Sequence, residues 1–221
     1  AVTERLLLST TVYVIPLVHP LVLAQQVSTI DVLSHGRVTL GIGVGGERPA
    51  QFRNLGIPVN ERASRADESI DILKGLWTQP RFSYHGKIFN FDNVEASPVP
   101  VQKPHPPIWV GGRVGGFEPG PDDRPRFKSR TAAIRRAARV GDGWVPYLMT
   151  PEQYREGAQK VLAYKKEYGR EDAPFTFAHT ILWSVGDNYE DALDVAAEGN
   201  PFGGHRRDFS ARFDIVGTPK D

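Results

Sequence analysis

The 221-residue chain has no cysteine. It therefore has no disulfide framework, no thiolate nucleophile and no cysteine-ligated metal. It has no charge excess either: 27 basic residues against 26 acidic ones leave a formal net charge of +1. That balance argues against a surface for nucleic acid or for an anionic membrane. No apolar run approaches the roughly 20 residues that span a bilayer. The six histidines, at 19, 35, 85, 105, 179 and 205, form no HExxH and no tight spacing with carboxylates. No metal site is expected.

What is present is a set of short apolar runs, several of which end on glycine. The most informative is residues 98–112, PVPVQKPHPPIWVGG. Its prolines exclude a helix, because each lacks an N–H and biases its predecessor toward extended backbone. The burst Ile108-Trp109-Val110 then stops on Gly111 and Gly112. A strand of this kind ending on paired glycines puts bare backbone at its carboxyl end, where α/β proteins bind ligands and where N–H groups suit phosphate. An edge strand with an ordinary glycine turn reads equally well from these residues alone.

The same logic applies upstream. Residues 5–16, RLLLSTTVYVIP, read as one strand buried on both faces. Pro20 opens a helix to about Leu33, with Leu23, Val27 and Ile30 at helical spacing and Gly36 as a left-handed cap. The strand 37–42 runs into Gly43-Val44-Gly45-Gly46-Glu47. This GxGxGG lacks the spacing of a dinucleotide fingerprint. It leaves a strand end with little bulk, either room for a flat ligand or a tight turn.

Residues 60–77 predict a helix capped by Asn60, with Arg62, Arg65, Asp67 and Glu68 on a solvated face. Residues 82–91 predict a hairpin turning at His85-Gly86-Lys87. Residues 113–130 are too long for an ordinary βα connection of about 2–6 residues. They read as a lid, a specificity loop or a flap, and their Arg124, Arg126, Lys128 and Arg130 read as solvated or as meeting an anion. Thr131 begins a helix to Val140, a short strand covers 144–147, and Thr150-Pro151 begins a helix to about Tyr168. A strand over 175–185 and a helix over 188–197, capped by Asn188, complete the series.

Alternating strands and helices mean a parallel sheet with right-handed crossovers. Glycine-rich ends after two different strands favour a (β/α)8 barrel over a doubly wound sheet. Five of eight units are present. The chain starts on Ala1 almost inside a strand, and it stops at Thr218-Pro219-Lys220-Asp221, a helix start without a helix. The expectation is a single incomplete barrel domain over residues 1–221, cut from a longer chain at both ends.

The sequence resembles the bacterial-luciferase-like flavin and deazaflavin oxidoreductases. The pieces that carry the resemblance are LLLSTTV at 6–12, HPLVLAQQVSTIDVLSHGRVTLGIGVGGE at 19–47, ERASRADESIDILKGLW at 61–77, FSYHGKIFNF at 82–91, PVPVQKPHPPIWVGGR at 98–113 and AARVGDGW at 137–144. The resemblance implies a TIM barrel whose strands 3 to 7 are represented, with cofactor at the carboxyl ends. It implies a bulge with a non-proline cis peptide at Thr11-Val12, against which the cofactor ring rests. Gly43 and Gly45 would line the ring, and Gly111, Gly112 and Arg113 would hold its phosphate.

Coenzyme F420 is the preferred cofactor and FMN the other. The implied chemistry is hydride transfer to or from a small organic substrate. The alternatives are an FMN-dependent two-component monooxygenase and a non-catalytic barrel relative, and a flavin or F420 reductase supplying reduced cofactor is the implied partner. Glu47 is the in-chain candidate for an acid or base, or else an exposed loop carboxylate. A cytoplasmic homodimer is implied for the full-length protein, with no nucleic-acid or membrane partner. Two departures matter. Val114 and a long insertion stand where the family often has a small hydroxylated phosphate ligand, so phosphate contacts would fall to backbone N–H groups and the Thr131 helix start. The family's second strand, which often ends in Asp-His, has no counterpart here.

Overall fold

The computed structural model describes residues 3–45, 49–119, 125–129, 131–199 and 207–219. The first strand is not the single run expected. It divides into β1 (Leu8–Ser9) and β2 (Tyr13–Val14), both paired in parallel with β3 (Val38–Gly43). Ser9 pairs with Thr39 and Tyr13 with Ile42, so four steps on one strand face three on the other. The extra residue is a bulge. Thr10 fixes it by donating its hydroxyl to the Gly41 carbonyl at 2.7 Å. A Cβ at Gly41 would overlap the Thr10 carbonyl oxygen, so the bulge needs glycine across from it. The Thr11–Val12 peptide is cis.

After a short 3-10 turn, His19 accepts the Leu21 N–H at 3.3 Å and caps α1 (Pro20–Leu33). Gly36 follows with φ +77°. Leu23 and Val27 face the core, but Ile30 is exposed and Asp31 takes a fully buried place. The Asp31 carboxylate accepts the N–H groups of Val101 (2.8 Å) and Gln102 (3.0 Å) and the Gln102 side-chain amide (2.6 Å). It thereby pins the proline-rich segment against α1. Gln102 passes a second amide bond to the Val38 carbonyl at 2.7 Å.

The short α2 (Pro49–Asn54) leads to a 3-10 turn and then to α3 (Arg62–Thr78). Asn60 lies in that 3-10 turn and does not cap α3. The predicted hairpin forms as β4 (Phe82–His85) and β5 (Asn90–Val94). Glu68, expected on a solvated face, instead accepts the N–H groups of Lys87, Ile88 and Phe89 at 2.9, 3.2 and 3.1 Å. Asp67 pairs with Arg136 and Arg139 at 2.8 and 2.9 Å.

β6 (Ile108–Val110) adds to the free side of β3. The long connection beyond it is an antiparallel hairpin, β7 (Gly115–Pro119) with β8 (Pro125–Ser129). Then come α4 (Ala132–Val140), β9 (Gly143–Trp144), α5 (Pro151–Glu167) and β10 (Thr176–Phe177). Thr150 caps α5 with a complete capping box. The parallel sheet runs β1/β2–β3–β6–β9–β10. Each strand joins beside the one before it, and nowhere does the order reverse. That is the winding of a barrel, not of a doubly wound sheet with its switch point. The result is a curled half-barrel. Leu40, Ile42, Ile108, Val110 and Trp144 of the sheet meet Leu23, Ile70, Leu73, Ile134 and Val161 of the helices in one core.

The last predicted strand is also broken. Beyond β10 the backbone reaches β11 (Trp183–Val185), which leaves the main sheet and pairs in parallel with β12 (Ile215–Gly217). Between them lie α6 (Tyr189–Gly199), where Asn188 caps by accepting the Asp191 N–H at 3.0 Å, and α7 (Arg207–Phe213). β12 has no counterpart among the elements expected from sequence. The anticipated helix start at Thr218 runs into Lys220 and Asp221, outside the described residues.

Candidate functional site

The strand ends carrying the expected residues meet at one place. Val12, exposed at the bulge, sits between two glycines. A Cβ on Gly43 would lie 2.6 Å from Val12 Cγ2, and one on Gly111 would lie 2.7 Å from Val12 Cγ1. Both glycines are therefore small because the Val12 side chain fills the space above them. The space at these glycines, read from sequence as room for a flat ligand or as a tight turn, is taken first by this isopropyl group. A ligand at these strand ends would rest on the outer side of Val12. Gly45, at φ +63°, is similarly crowded by Val14 and by Phe52 of α2.

The glycine pair divides its work. The Gly111 N–H donates to the Ile42 carbonyl at 2.7 Å, so it is committed to the sheet. Gly112 has φ +129°, a conformation that side chains rarely adopt. A Cβ there would come 2.5 Å from Ala133 Cβ in the first turn of α4. Gly112 thus lies directly against a helix N-terminus. Thr131 makes no side-chain cap on that helix, so the first-turn N–H groups are not met by its hydroxyl. Arg113 follows, its guanidinium 5.0 Å from the centre of the Tyr147 ring. Gly112 and Arg113 thus lie beside the start of a helix that Thr131 does not cap, and helix-start N–H groups and a guanidinium are donors of the kind that suit a phosphate.

Two residues were missed by reading the sequence as elements. Trp144 donates its indole N–H to the Gly112 carbonyl at 2.8 Å and fixes the outer glycine in place. Its ring stacks on Tyr154 at 5.3 Å. The pair WVGG and GDGW carried the signal, but Trp144 read only as a strand residue. Thr10 was missed because its hydroxyl bond to Gly41 crosses 31 residues. Glu47, the acid or base candidate, lies outside the described residues, as do Arg124 and Arg130. The structure brings Thr11, Val12, Gly43, Gly45, Gly111, Gly112 and Arg113 to one end of the sheet.

The opposite end of the sheet holds a different kind of cluster. Asp142 accepts the Ile108 N–H at 2.9 Å, Lys74 donates to the Val140 carbonyl at 2.6 Å, and Arg170 donates to Ala138 and Gly141 carbonyls. Burial pushes the Lys74 pKa down. These charges tie strand starts to helix ends, as is usual at the stability face of such sheets. Among the described residues no group of His, Asp or Glu is arranged to hold a metal. None of the described helices is long and apolar enough to cross a membrane.

Comparison with known proteins adds a name to this geometry. A family model described as luciferase-like monooxygenase matches residues 1–115 and 128–217, and so leaves out most of the β7–β8 hairpin. Over 96 residues the chain is 41% identical to the FMNH(2)-dependent dimethylsulfone monooxygenase of Pseudomonas putida, covering 42% of this chain and 26% of that protein. Over 175 residues it is 31% identical to an uncharacterized protein of Mycobacterium tuberculosis, covering 79% of this chain and 54% of that one. The chain thus spans about half the length, or less, of these curated relatives. Among solved structures, an F420-dependent secondary alcohol dehydrogenase superposes with a TM-score of 0.76 at 18% identity, over 98% of this chain and 68% of that one.

Proposed function

The chain belongs to the luciferase-like monooxygenase family, and from that premise we propose that it is part of a flavin-type oxidoreductase barrel. Residues 1–221 are read as one incomplete barrel domain. The cofactor is held at the carboxyl ends of β2, β3 and β6, with its ring on Val12 and its phosphate at Gly112, Arg113 and the start of α4. The observation that carries the reading is Gly112: φ +129°, no side chain, packed against an uncapped helix start, and locked by Trp144.

Of the two cofactors, reduced FMN gains support from the 41% identical stretch shared with an FMNH(2)-dependent monooxygenase. F420 keeps support from the hairpin at 82–91 and from PHPPIWVGG at 104–112, which resemble members of the family that use the deazaflavin. Bound there, either cofactor would supply the hydride or electron-pair chemistry that no side chain of this chain can perform. The protein's own share is to orient and to exclude water. Val12 and the two glycines set the height of the ring, Arg113 and α4 neutralise the phosphate, and Trp144 keeps that cradle from collapsing. The substrate is a small organic molecule. A cofactor used in reduced form must be recharged, so a reductase is the proposed partner. A cytoplasmic homodimer is proposed for the assembled enzyme, and Glu47 is kept as the candidate acid or base.

Anaerobic titration with reduced FMN and with reduced F420, each followed by fluorescence, tests this. One of them binds saturably, and Gly112→Val weakens that binding about tenfold or more, using about 1.4 kcal/mol per decade. Riboflavin, which lacks the phosphate, changes far less. Equal loss for FMN and riboflavin would mean that Gly112 is only a packing residue. Binding of neither cofactor would favour a barrel that has lost its cofactor.

A further inference from the structure

A recess opens beside Gly112 and Trp144, on the same end of the sheet. It is a groove of about 690 Å³ between the start of α5, the end of β10 and the α7–β12 corner. That size is in the range of small-molecule sites. Its floor is apolar and aromatic, from Met149, Tyr154 and Phe213. Tyr154 is also the residue stacked on Trp144, which holds Gly112. One aromatic pair therefore separates the groove from the glycine cradle.

The polar groups are arranged around that floor. Arg155 and Arg212 line the groove from different helices, and both are exposed. Arg155 makes no ion pair among the described residues, and Arg212 lies over the Phe213 ring at 5.3 Å. Asp214 lines the groove too, so the lining carries two guanidiniums and one carboxylate and is net positive. His179 supplies a further polar atom. Its Nε2 is buried and has no hydrogen-bond partner among the described residues, while its ring stands edge-on to Tyr154 at 5.5 Å. A buried ring nitrogen without a partner is costly unless a ligand or water completes it. Burial also lowers the His179 pKa, which favours the neutral imidazole.

We propose that this groove binds an organic carboxylate with a flat apolar body, the body on Met149, Tyr154 and Phe213 and the carboxylate at Arg155 and Arg212. The planar fork of arginine matches a carboxylate. The assignment names a substrate class for the reaction proposed above and rests on that reading only for what happens to the ligand. Binding itself needs no cofactor, so the two can fail separately.

The test is calorimetric titration of the full chain, free of cofactor, with 2-naphthoate and with neutral 2-naphthamide. The naphthoate is expected to bind at one saturable site, about tenfold tighter than the amide. Arg155→Gln and Arg212→Gln should each weaken naphthoate binding about tenfold, the lower end for a charged hydrogen bond, and leave amide binding unchanged. The two residues stand on separate helices, so a folding failure in one variant leaves the other to decide. Absence of saturable binding, equal binding of acid and amide, or unchanged affinity in a folded arginine variant would overturn the proposal. Failure of the flavin titration with naphthoate binding intact would overturn the redox reading alone.

Discussion

Asp31→Ala should be among the most damaging single changes in this chain. The residue is fully buried, and its carboxylate accepts three N–H groups at 2.6 to 3.0 Å. Alanine leaves those three part-buried donors without this acceptor. Each stranded buried donor costs about 1–3 kcal/mol. The segment 98–107 is partly exposed and can admit water, so the lower half of the sum applies, about 3–6 kcal/mol. That is a large part of a typical domain stability of about 5–15 kcal/mol. Asp31→Asn keeps the shape and one acceptor oxygen but turns the other into a donor that opposes an N–H, so roughly half the loss is expected. The assay is urea unfolding followed by far-ultraviolet circular dichroism. With a slope of about 2 kcal/mol per molar, alanine should lower the midpoint by about 2 M and asparagine by about 1 M. The damage should also reach the site, because this segment delivers β6 and hence Gly111 and Gly112. A midpoint change below about 0.5 M for alanine would refute the reasoning. It would show that the proline-rich segment holds its path without the carboxylate.

Glu68→Ala should loosen the β4–β5 hairpin by about 1–2 kcal/mol, since one carboxylate accepts all three N–H groups of residues 87–89; amide exchange at these positions should speed up about tenfold or more, with α3 unchanged. Stability should fall as pH falls through the ordinary histidine range. His19 is lowered by burial and by the Arg65 charge, and His179 by burial, so the unfolded chain binds protons there first and stability is retained only above the unfolded pKa of about 6.5. Thermal melts at pH 8 and pH 5.5 should show a smaller drop in His179→Gln than in the parent chain.

The order of elements was legible because helices and strands announce themselves by periodicity and by caps such as Thr150. The breaks were not. Residues 10–12 are Thr, Thr and Val, all good strand formers, and the bulge exists because Gly41 across the sheet admits the Thr10 carbonyl. The strand 175–185 leaves the sheet because its second half pairs with three residues near the chain end, a partner with no local signature. Asp31 and Glu68 read as ordinary helix carboxylates, yet their partners are backbone N–H groups 70 and 19 residues away. A backbone donor carries no side chain to reveal it, so such bonds are invisible to any pattern of residue types.

The site shows the same division more sharply. Glycine at a strand end reads as room for a ligand or as a tight turn, but a glycine does not say who needs the space. At Gly43 and Gly111 the occupant is Val12, a residue of the chain itself. At Gly112 it is the first turn of α4. Only the second kind of space lies against the start of a helix, where the N–H groups favour an anion. The two kinds of glycine should therefore respond differently to enlargement. Gly111→Ala would push on Val12 and tilt whatever rests on its outer side, whereas Gly112→Ala would push on α4 and strike the phosphate end. On the proposed reading, a flavin ring bound over Val12 would shift its absorption spectrum in the first variant at little loss of affinity. In the second it would lose affinity with its spectrum unchanged.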